Sequence, residues 1–295
     1  MLRVILNVAI GGALAAAAIF GIITHGSFKG RLYSSSSKQD LSVLRAIVQT
    51  GPVKEAVKTT YLAELLDLCI DHPTLTSEID LRRAEKRLRA SPVIVDAEVK
   101  IQDPGILYID YTTRKPIALL YDYENMALDN EGCPFPIAPF YSPKKLPQVY
   151  LGLRDSIRWN TPISGEKMEL VFSLLEVLNG PIVCDLFDIK RIDVSKAFER
   201  SLGSEEIVVM TQDRIYSAFQ DREVSYIFPR ILRLSKKNYA QELGDYLKLR
   251  ETLLEKERKN LRQPIDKERI IFYPQKIIDL RVPQLAVINE SEGAQ

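Results

Sequence analysis

Residues 91–113 read SPVIVDAEVKIQDPGILYIDYTT, and their hydrophobic pattern decides the fold of the first half of the chain. Apolar residues recur at every second position on both sides of Asp103-Pro104-Gly105, a period typical of strands with one buried face. Two such runs joined by a Pro-Gly turn predict a β-hairpin. The predicted buried residues are Val93, Val95, Ala97, Val99 and Ile101 in the first strand, and Leu107, Ile109 and Tyr111 in the second.

Two helices are predicted before the hairpin. The first is indicated by apolar residues at three- and four-residue spacing, namely Tyr61, Leu62, Leu65, Leu66 and Cys69. We interpret Cys69 as a small buried hydrophobe. The second helix is predicted to begin at Ser77, where Ser77-Glu78-Ile79-Asp80 has the pattern of a capping box. With a short strand at 44–49, the predicted order is strand, helix, helix, strand, strand.

The second helix has a strongly basic face opposite its apolar stripe. The stripe consists of Leu81, Ala84 and Leu88, and the basic face consists of Arg82, Arg83, Lys86, Arg87 and Arg89. A solvated charged face is the ordinary interpretation of such a pattern. The alternative is contact with membrane lipid, since a basic residue near an anionic surface is worth about 1 kcal/mol. These five residues are therefore the candidate membrane surface.

The N-terminal run Val4–Ile23 is long enough to cross a membrane as a helix, which needs about 20 apolar residues. A cleaved secretory signal is the alternative, although its apolar region usually spans only about 7–15 residues. We predict a cytoplasmic tail at 1–3, a transmembrane helix at 4–24 and a linker at 25–40. The flanking basic residues Lys29, Arg31 and Lys38 favour a cytoplasmic location for the rest of the chain.

Composition excludes several classes of protein. Forty basic and 39 acidic residues give a net charge of +1, which argues against a nucleic-acid binder. Cys69, Cys133 and Cys184 include no CxxC spacing, so we predict no metal site and no redox site. The two histidines and the absence of a catalytic motif predict a protein that is not an enzyme and that has no cofactor and no small-molecule substrate.

The second half predicts a β-rich domain. A hairpin is expected at 117–121 and 126–129, a strand at 146–152, and a helix carrying Met168, Leu170, Val171, Leu174, Leu175 and Leu178. Further strands are expected at 189–194, 207–211, 214–219 and 231–234, followed by a helix at 238–255 and a strand at 277–281. Gln212-Asp213 is interpreted as a tight turn between two of these strands.

The order of these motifs resembles the FtsQ/DivIB family of cell-division proteins. The resemblance is carried by Val95-x-Ala97-x-Val99, by Pro104-Gly105-x-Leu107 and by Arg114-x-Pro116-Ile117-Ala118. The turn 129–136 is similar to the family's D-x-x-G-x-x-F-P turn, and 277–281 is similar to its terminal strand. The resemblance implies an α+β fold with a POTRA domain at 41–115, a β domain at 116–288 and a disordered tail at 289–295.

The resemblance also implies a function. A member of this family is a single-pass protein of the bacterial inner membrane whose C-terminal part lies outside the cytoplasm, against the direction favoured by the basic flank. It acts as a scaffold that binds FtsB/FtsL (DivIC/FtsL)-type single-span proteins by pairing their strand with an exposed sheet edge. By resemblance, that edge is the final strand, which gives the partner-binding candidates Ile278, Asp279, Leu280, Arg281 and Val282.

Among these candidates, Arg281 offers a fork of donors to a partner carboxylate, whereas Ile278 and Leu280 also fit ordinary core packing. Val282 stands where the family favours Tyr, which weakens the expected interface, and the charged stretch 255–269 is longer than in the family. The alternative functions are a POTRA-bearing assembly or transport factor and an envelope enzyme. Against the first alternative, the C-terminal part of the sequence does not show the repeated alternating strands that form an outer-membrane barrel.

Overall fold

The computed structural model describes residues 43–290 except 155, 181, 182, 184, 185, 187, 202, 221, 266 and 267. The predicted anchor, the linker, Cys184 and the last five residues lie outside the described residues. The prediction that the disordered tail begins at 289 is wrong, because residues 289 and 290 belong to the last strand.

The described residues form an α+β fold in which strands predominate, as predicted. The helices are α1 (Thr59–Leu65), α2 (Leu81–Ala90), α3 (Glu166–Leu178) and α4 (Tyr239–Lys259). The first strands are β1 (Ala46–Gln49), β2 (Ile94–Gln102), β3 (Ile106–Thr113), β4 (Ala118–Leu120), β5 (Met126–Leu128), β6 (Pro134–Pro136) and β7 (Gln148–Tyr150). The remaining strands are β8 (Asp188–Asp193), β9 (Ile207–Phe219), β10 (Arg222–Leu234), β11 (Ile270–Phe272), β12 (Lys276–Val282) and β13 (Leu285–Glu290).

The first three strands form a sheet of order β1-β3-β2, in which β1 is parallel and β2 is antiparallel to β3. The predicted order of strand, helix, helix, strand, strand is confirmed. Leu62 of α1 and Leu88 of α2 pack in one core with the inward side chains of the hairpin, such as Ile109. A Cβ at Gly105 (φ +88°) would collide with the Val43 carbonyl oxygen, so the turn between β2 and β3 requires glycine.

The prediction that Val95 is buried is wrong. Its side chain is 56% exposed, whereas Ile94 is 3% exposed. The ladder explains the difference, because Ile94 pairs with Thr113 and Asp96 pairs with Thr112, which leaves Val95 as an extra residue in a β-bulge. Beyond the bulge the predicted alternation holds, with Ala97 and Val99 buried.

The bulge predicts that Val95→Asp changes the free energy of unfolding by no more than about 0.5 kcal/mol, as at an ordinary surface position. Ile94→Val should cost about 0.5–1.5 kcal/mol, since it removes a buried methyl group. Urea unfolding of both variants tests the strand register. If Val95→Asp lowers the free energy of unfolding more than Ile94→Val does, Val95 is buried and the strand alternates without a bulge.

Two predictions about the helices are also wrong. Helix α1 ends at Leu65 and Asp67 adopts a left-handed conformation (φ +56°), so Cys69 lies exposed beyond the helix. Helix α2 begins after Asp80, whose side chain accepts a hydrogen bond from the Arg83 amide (3.1 Å). Ser77 instead lies in a 3₁₀ turn, Thr76–Glu78. The N-cap of α2 is therefore Asp80, and not Ser77 as the capping-box pattern predicted.

The other strands form a ten-stranded sheet of order β13-β12-β10-β9-β8-β7-β4-β5-β6, with β11 paired to β10 beside β12. Helices α3 and α4 share one core with the sheet. All six apolar residues predicted for α3 are buried in this core, together with Val209, Leu232 and Ile278.

Strands β9 and β10 form one long hairpin, so the tight turn predicted at Gln212-Asp213 is wrong. Asp213 is 1% exposed inside β9 and accepts a hydrogen bond from Arg250 of α4 (2.6 Å). Arg230 of β10 is fully buried between Asp213 and Glu257. Asp213, one of the two residues that indicated a turn, is thus a member of a buried ion cluster.

Candidate partner-binding edge

The C-terminal end of the ten-stranded sheet contains the predicted partner site. Strand β12 pairs in parallel with β10 and antiparallel with β13, so β12 is an interior strand and the expectation that it forms the edge is wrong. The chain turns back through Pro283-Gln284, where Gln284 has a φ of +62°. Strand β13 is therefore the edge.

The five partner-binding candidates have different environments. Ile278 and Leu280 are buried in the core beneath α4, in agreement with their alternative interpretation as core residues. Asp279 and Arg281 lie on the opposite face of β12, and Val282 is 51% exposed at the end of the strand. The structure thus does not bring the five side chains together on one surface.

The guanidinium of Arg281 is already engaged within the protein. Its Nε and Nη2 atoms donate to the two carboxylate oxygens of Asp279 at 2.9 and 2.7 Å. Arg233 of β10 approaches the same carboxylate at 3.2 Å. The hydrogen bond from Arg281 holds the pKa of Asp279 below its usual value, and Asp279 raises the pKa of Arg281.

This pair predicts that Arg281→Gln lowers the free energy of unfolding by about 1–2 kcal/mol at pH 7, since it removes charge-assisted hydrogen bonds from a largely buried carboxylate. Asp279 has a lowered folded-state pKa, so its stabilising effect is present above the unfolded pKa of about 4 and is lost as the pH falls through the folded value. Urea unfolding at pH 7 and pH 3 should show the difference between variant and wild type shrinking at pH 3. An equal difference at both pH values would show that Arg281 does not act through the Asp279 carboxylate.

Strand β13 carries exposed apolar side chains and buries little. Leu285, Val287 and Ile288 are 55, 41 and 39% exposed, and Ala286 is the member of the strand that packs against the core. In the part of the chain that the structure describes, β13 pairs with β12 alone. Strand β13 is not among the predicted strands, although the short apolar run after Val282-Pro283 is a signal that indicates it.

The opposite edge of the same sheet is blunted. Strand β6 has three residues, and Pro134 and Pro136 have no N–H to offer to a further strand. Strand β13 is longer and contains no proline. The two ends of the sheet therefore differ in their ability to accept another strand.

The edges of the three-stranded sheet are also protected. On β2, the Val99 amide donates to the Glu85 carboxylate (3.1 Å) and Arg89 donates to the Ala97 carbonyl (2.6 Å), so α2 side chains occupy main-chain groups of the edge. On the other side, β1 is only four residues long. Short edges and occupied main-chain groups both discourage pairing.

The basic face of α2 divides into two parts. Arg87 pairs with Asp67 (2.5 Å) and Arg89 pairs with Asp96 (2.7 Å), so both guanidinium groups have partners within the protein. Arg82, Arg83 and Lys86 are exposed and form no ion pair with any described residue. Membrane contact by the basic face stays a prediction.

One cluster has the composition of a metal site, formed by Asp129, Glu131 and Cys133. The Asp129 carboxylate is used by the turn itself: Oδ1 accepts from the amides of Glu131 and Cys133 at 2.9 and 2.8 Å, and Oδ2 accepts from Arg114 at 2.6 Å. Burial raises the pKa of the Cys133 thiol, which disfavours the thiolate that binds metals. We therefore assign these contacts to the turn, in which Gly132 has a φ of +78°.

No protein-family model matches the chain, and a search of curated proteins finds no match to it. Across the described residues, no helix has the length and hydrophobicity needed to cross a membrane, and the predicted span Val4–Ile23 lies outside them. The resemblance to the FtsQ/DivIB family stays a prediction.

Proposed function

We propose that this protein is a membrane-anchored, extracytoplasmic scaffold of the bacterial division machinery, and that it binds single-span partners of the FtsB/FtsL (DivIC/FtsL) type at the edge strand β13. The anchor is the N-terminal run Val4–Ile23, and the POTRA and β domains are assigned to 41–115 and 116–288. The observation that carries the proposal is the edge of β13, which pairs with no described strand except β12, in contrast to the protected edges at β1, β2 and β6.

An exposed edge supports binding because a partner strand gains main-chain hydrogen bonds along its length. The side chains of Leu285, Val287 and Ile288 add apolar surface next to the free main chain. Such an edge is an aggregation hazard in an isolated protein, and natural proteins normally block it with charge, proline or a covering element. An edge strand that is left exposed therefore favours a role for β13 in binding a partner.

Placement of the partner on β13 modifies the site expected from the resemblance. The side chains of Ile278, Leu280 and Arg281 stabilise the sheet beneath the edge, and the main chain of β13 makes the contact. Val282 remains a direct contact candidate, because it lies exposed beside Leu285, with which it is paired.

Site-specific photo-crosslinking tests this proposal. A photoreactive amino acid at Val287 in the full-length protein should crosslink to an FtsB/FtsL-type protein in the native membrane. The matched control is the same amino acid at Tyr216, which is exposed on β9 away from the edge. No crosslink from Val287, or an equal crosslink from Tyr216, would overturn the proposed site.

A further inference from the structure

Helix α4 lies along β12 and β13 and presents opposite charges at the two ends of the edge. Near the start of β13, Asp245 and Leu249 border a groove of 360 Å³ together with Leu280, Val282 and Leu285. Near the end of β13, Lys256 borders a second cavity of 280 Å³ together with Lys276 and Glu290. Asp245 thus lies at one end of the edge and Lys256 at the other, with apolar side chains between them. At the Lys256 end, the charges of Lys276 and Glu290 offset each other in an ion pair of 3.5 Å.

Both terminal charges are available to a ligand. Asp245 pairs only with Lys248 among the described residues, at 3.1 Å, and both side chains are well exposed. Such surface pairs contribute little and are readily exchanged. Lys256 is exposed and forms no ion pair within the described ranges. In contrast, the buried Glu242 is bonded to Ser235, and Glu257 is bonded to Arg230 and Lys276.

The distance between Asp245 and Lys256 determines how far apart two matching charged residues must lie in a partner strand. Asp245 and Lys256 are about 16 Å apart along the axis of α4 at a rise of about 1.5 Å per residue. A strand covers that distance in about five residues at about 3.3 Å each. Because side chains on one face of a strand recur at every second position, the matching spacing is about four or six residues.

We propose that α4 selects the partner strand by charge and direction. The strand that pairs with β13 presents a Lys or Arg to Asp245 and, about four or six residues away, an Asp or Glu to Lys256, with an apolar side chain between them over Leu249. The opposite direction places like charges together at both ends, so it is disfavoured. This inference rests on the proposed function and specifies its partner.

Charge reversal tests the inference. The full-length protein and the extracytoplasmic segment of the FtsB/FtsL-type protein crosslinked from Val287 are the two binding components. We expect Asp245→Lys and Lys256→Glu each to weaken capture about tenfold, and reversal of the facing charge in the partner to restore it. The controls are Glu251→Lys and Arg258→Glu on the other flank of α4, and both should bind as wild type does.

Three results would be decisive. Wild-type affinity in both Asp245→Lys and Lys256→Glu, with the Val287 crosslink intact, would overturn the charge selection and leave the edge site standing. Equal losses in the two controls would show a general effect of net charge and would also overturn it. Failure of the wild-type protein to capture the segment would overturn the proposed function itself.

Discussion

Arg230→Met is expected to destabilise the protein by about 3–5 kcal/mol. Arg230 is fully buried between Asp213 and Glu257. Its Nε atom lies 3.4 Å from the Asp213 carboxylate, and its Nη2 atom donates a hydrogen bond to the Glu257 carboxylate. Burial alone would lower its pKa, but the hydrogen bond with Glu257 holds the pKa above the usual value for arginine. Loss of the guanidinium leaves two buried carboxylates short of a cationic partner, which is costly at low dielectric constant.

Arg214→Met is the matched control, since Arg214 lies on the exposed face of β9 and forms a surface pair with Asp188 (3.2 Å). A surface pair contributes about 0–1 kcal/mol. Thermal unfolding should show a loss of roughly 10 °C for Arg230→Met and little change for Arg214→Met, at about 2–4 °C per kcal/mol for a chain of this size. Equal melting temperatures would contradict the buried ion cluster.

Proline substitution in β13 is expected to weaken partner capture about a hundredfold. Val287 and Ile288 are adjacent, so the N–H of one points towards β12 and the N–H of the other points away from the sheet. Proline removes an N–H and does not fit a strand with neighbours on both sides. Both Val287→Pro and Ile288→Pro should therefore lose capture, but only one of them should lower the melting temperature.

The controls for the proline pair are Val287→Thr and Ile288→Thr, which keep the N–H and a β-branched side chain. Both should retain capture to within about tenfold. If all four variants bind as wild type does, the partner does not pair with the main chain of β13. If both proline variants unfold, capture should be measured at a temperature where the less affected variant stays folded.

The sequence predicts the regular parts of the fold because there the apolar period is set by local geometry. The alternation in β3 and the apolar stripe of α3 are both confirmed. Predictions fail where a distant partner decides the structure. Asp213 is tolerated inside a strand because Arg230 of β10 and Arg250 of α4 neutralise its charge, and neither is near it in the sequence.

A second kind of failure comes from single residues that interrupt a period. The bulge at Val95 shifts the register by one position without any glycine or proline to indicate it. Cys69 is exposed because the helix before it ends early, although the helical spacing continues through it.

The sequence predicts a strand at 277–281 but not its place in the sheet. Strand β12 lies at Lys276–Val282, where the apolar residues Ile278 and Leu280 alternate with charged residues, but it is an interior strand and not the edge. The pairing of Asp279 with Arg281 follows from their positions on one face of a strand, two residues apart. The covering strand β13 was missed because it is short and follows a proline, which is also a signal for a loop.

Amide hydrogen exchange of β13 tests directly whether a partner strand pairs with this edge. Exchange should be measured in the full-length protein, alone and with the extracytoplasmic segment of an FtsB/FtsL-type partner. We expect the amides of 285–290 that point away from β12 to exchange about a hundredfold more slowly when the segment is bound, because its strand supplies acceptors for them. Unchanged exchange in 285–290, with new protection on another surface of the protein, would contradict the assignment of β13 as the partner-binding edge.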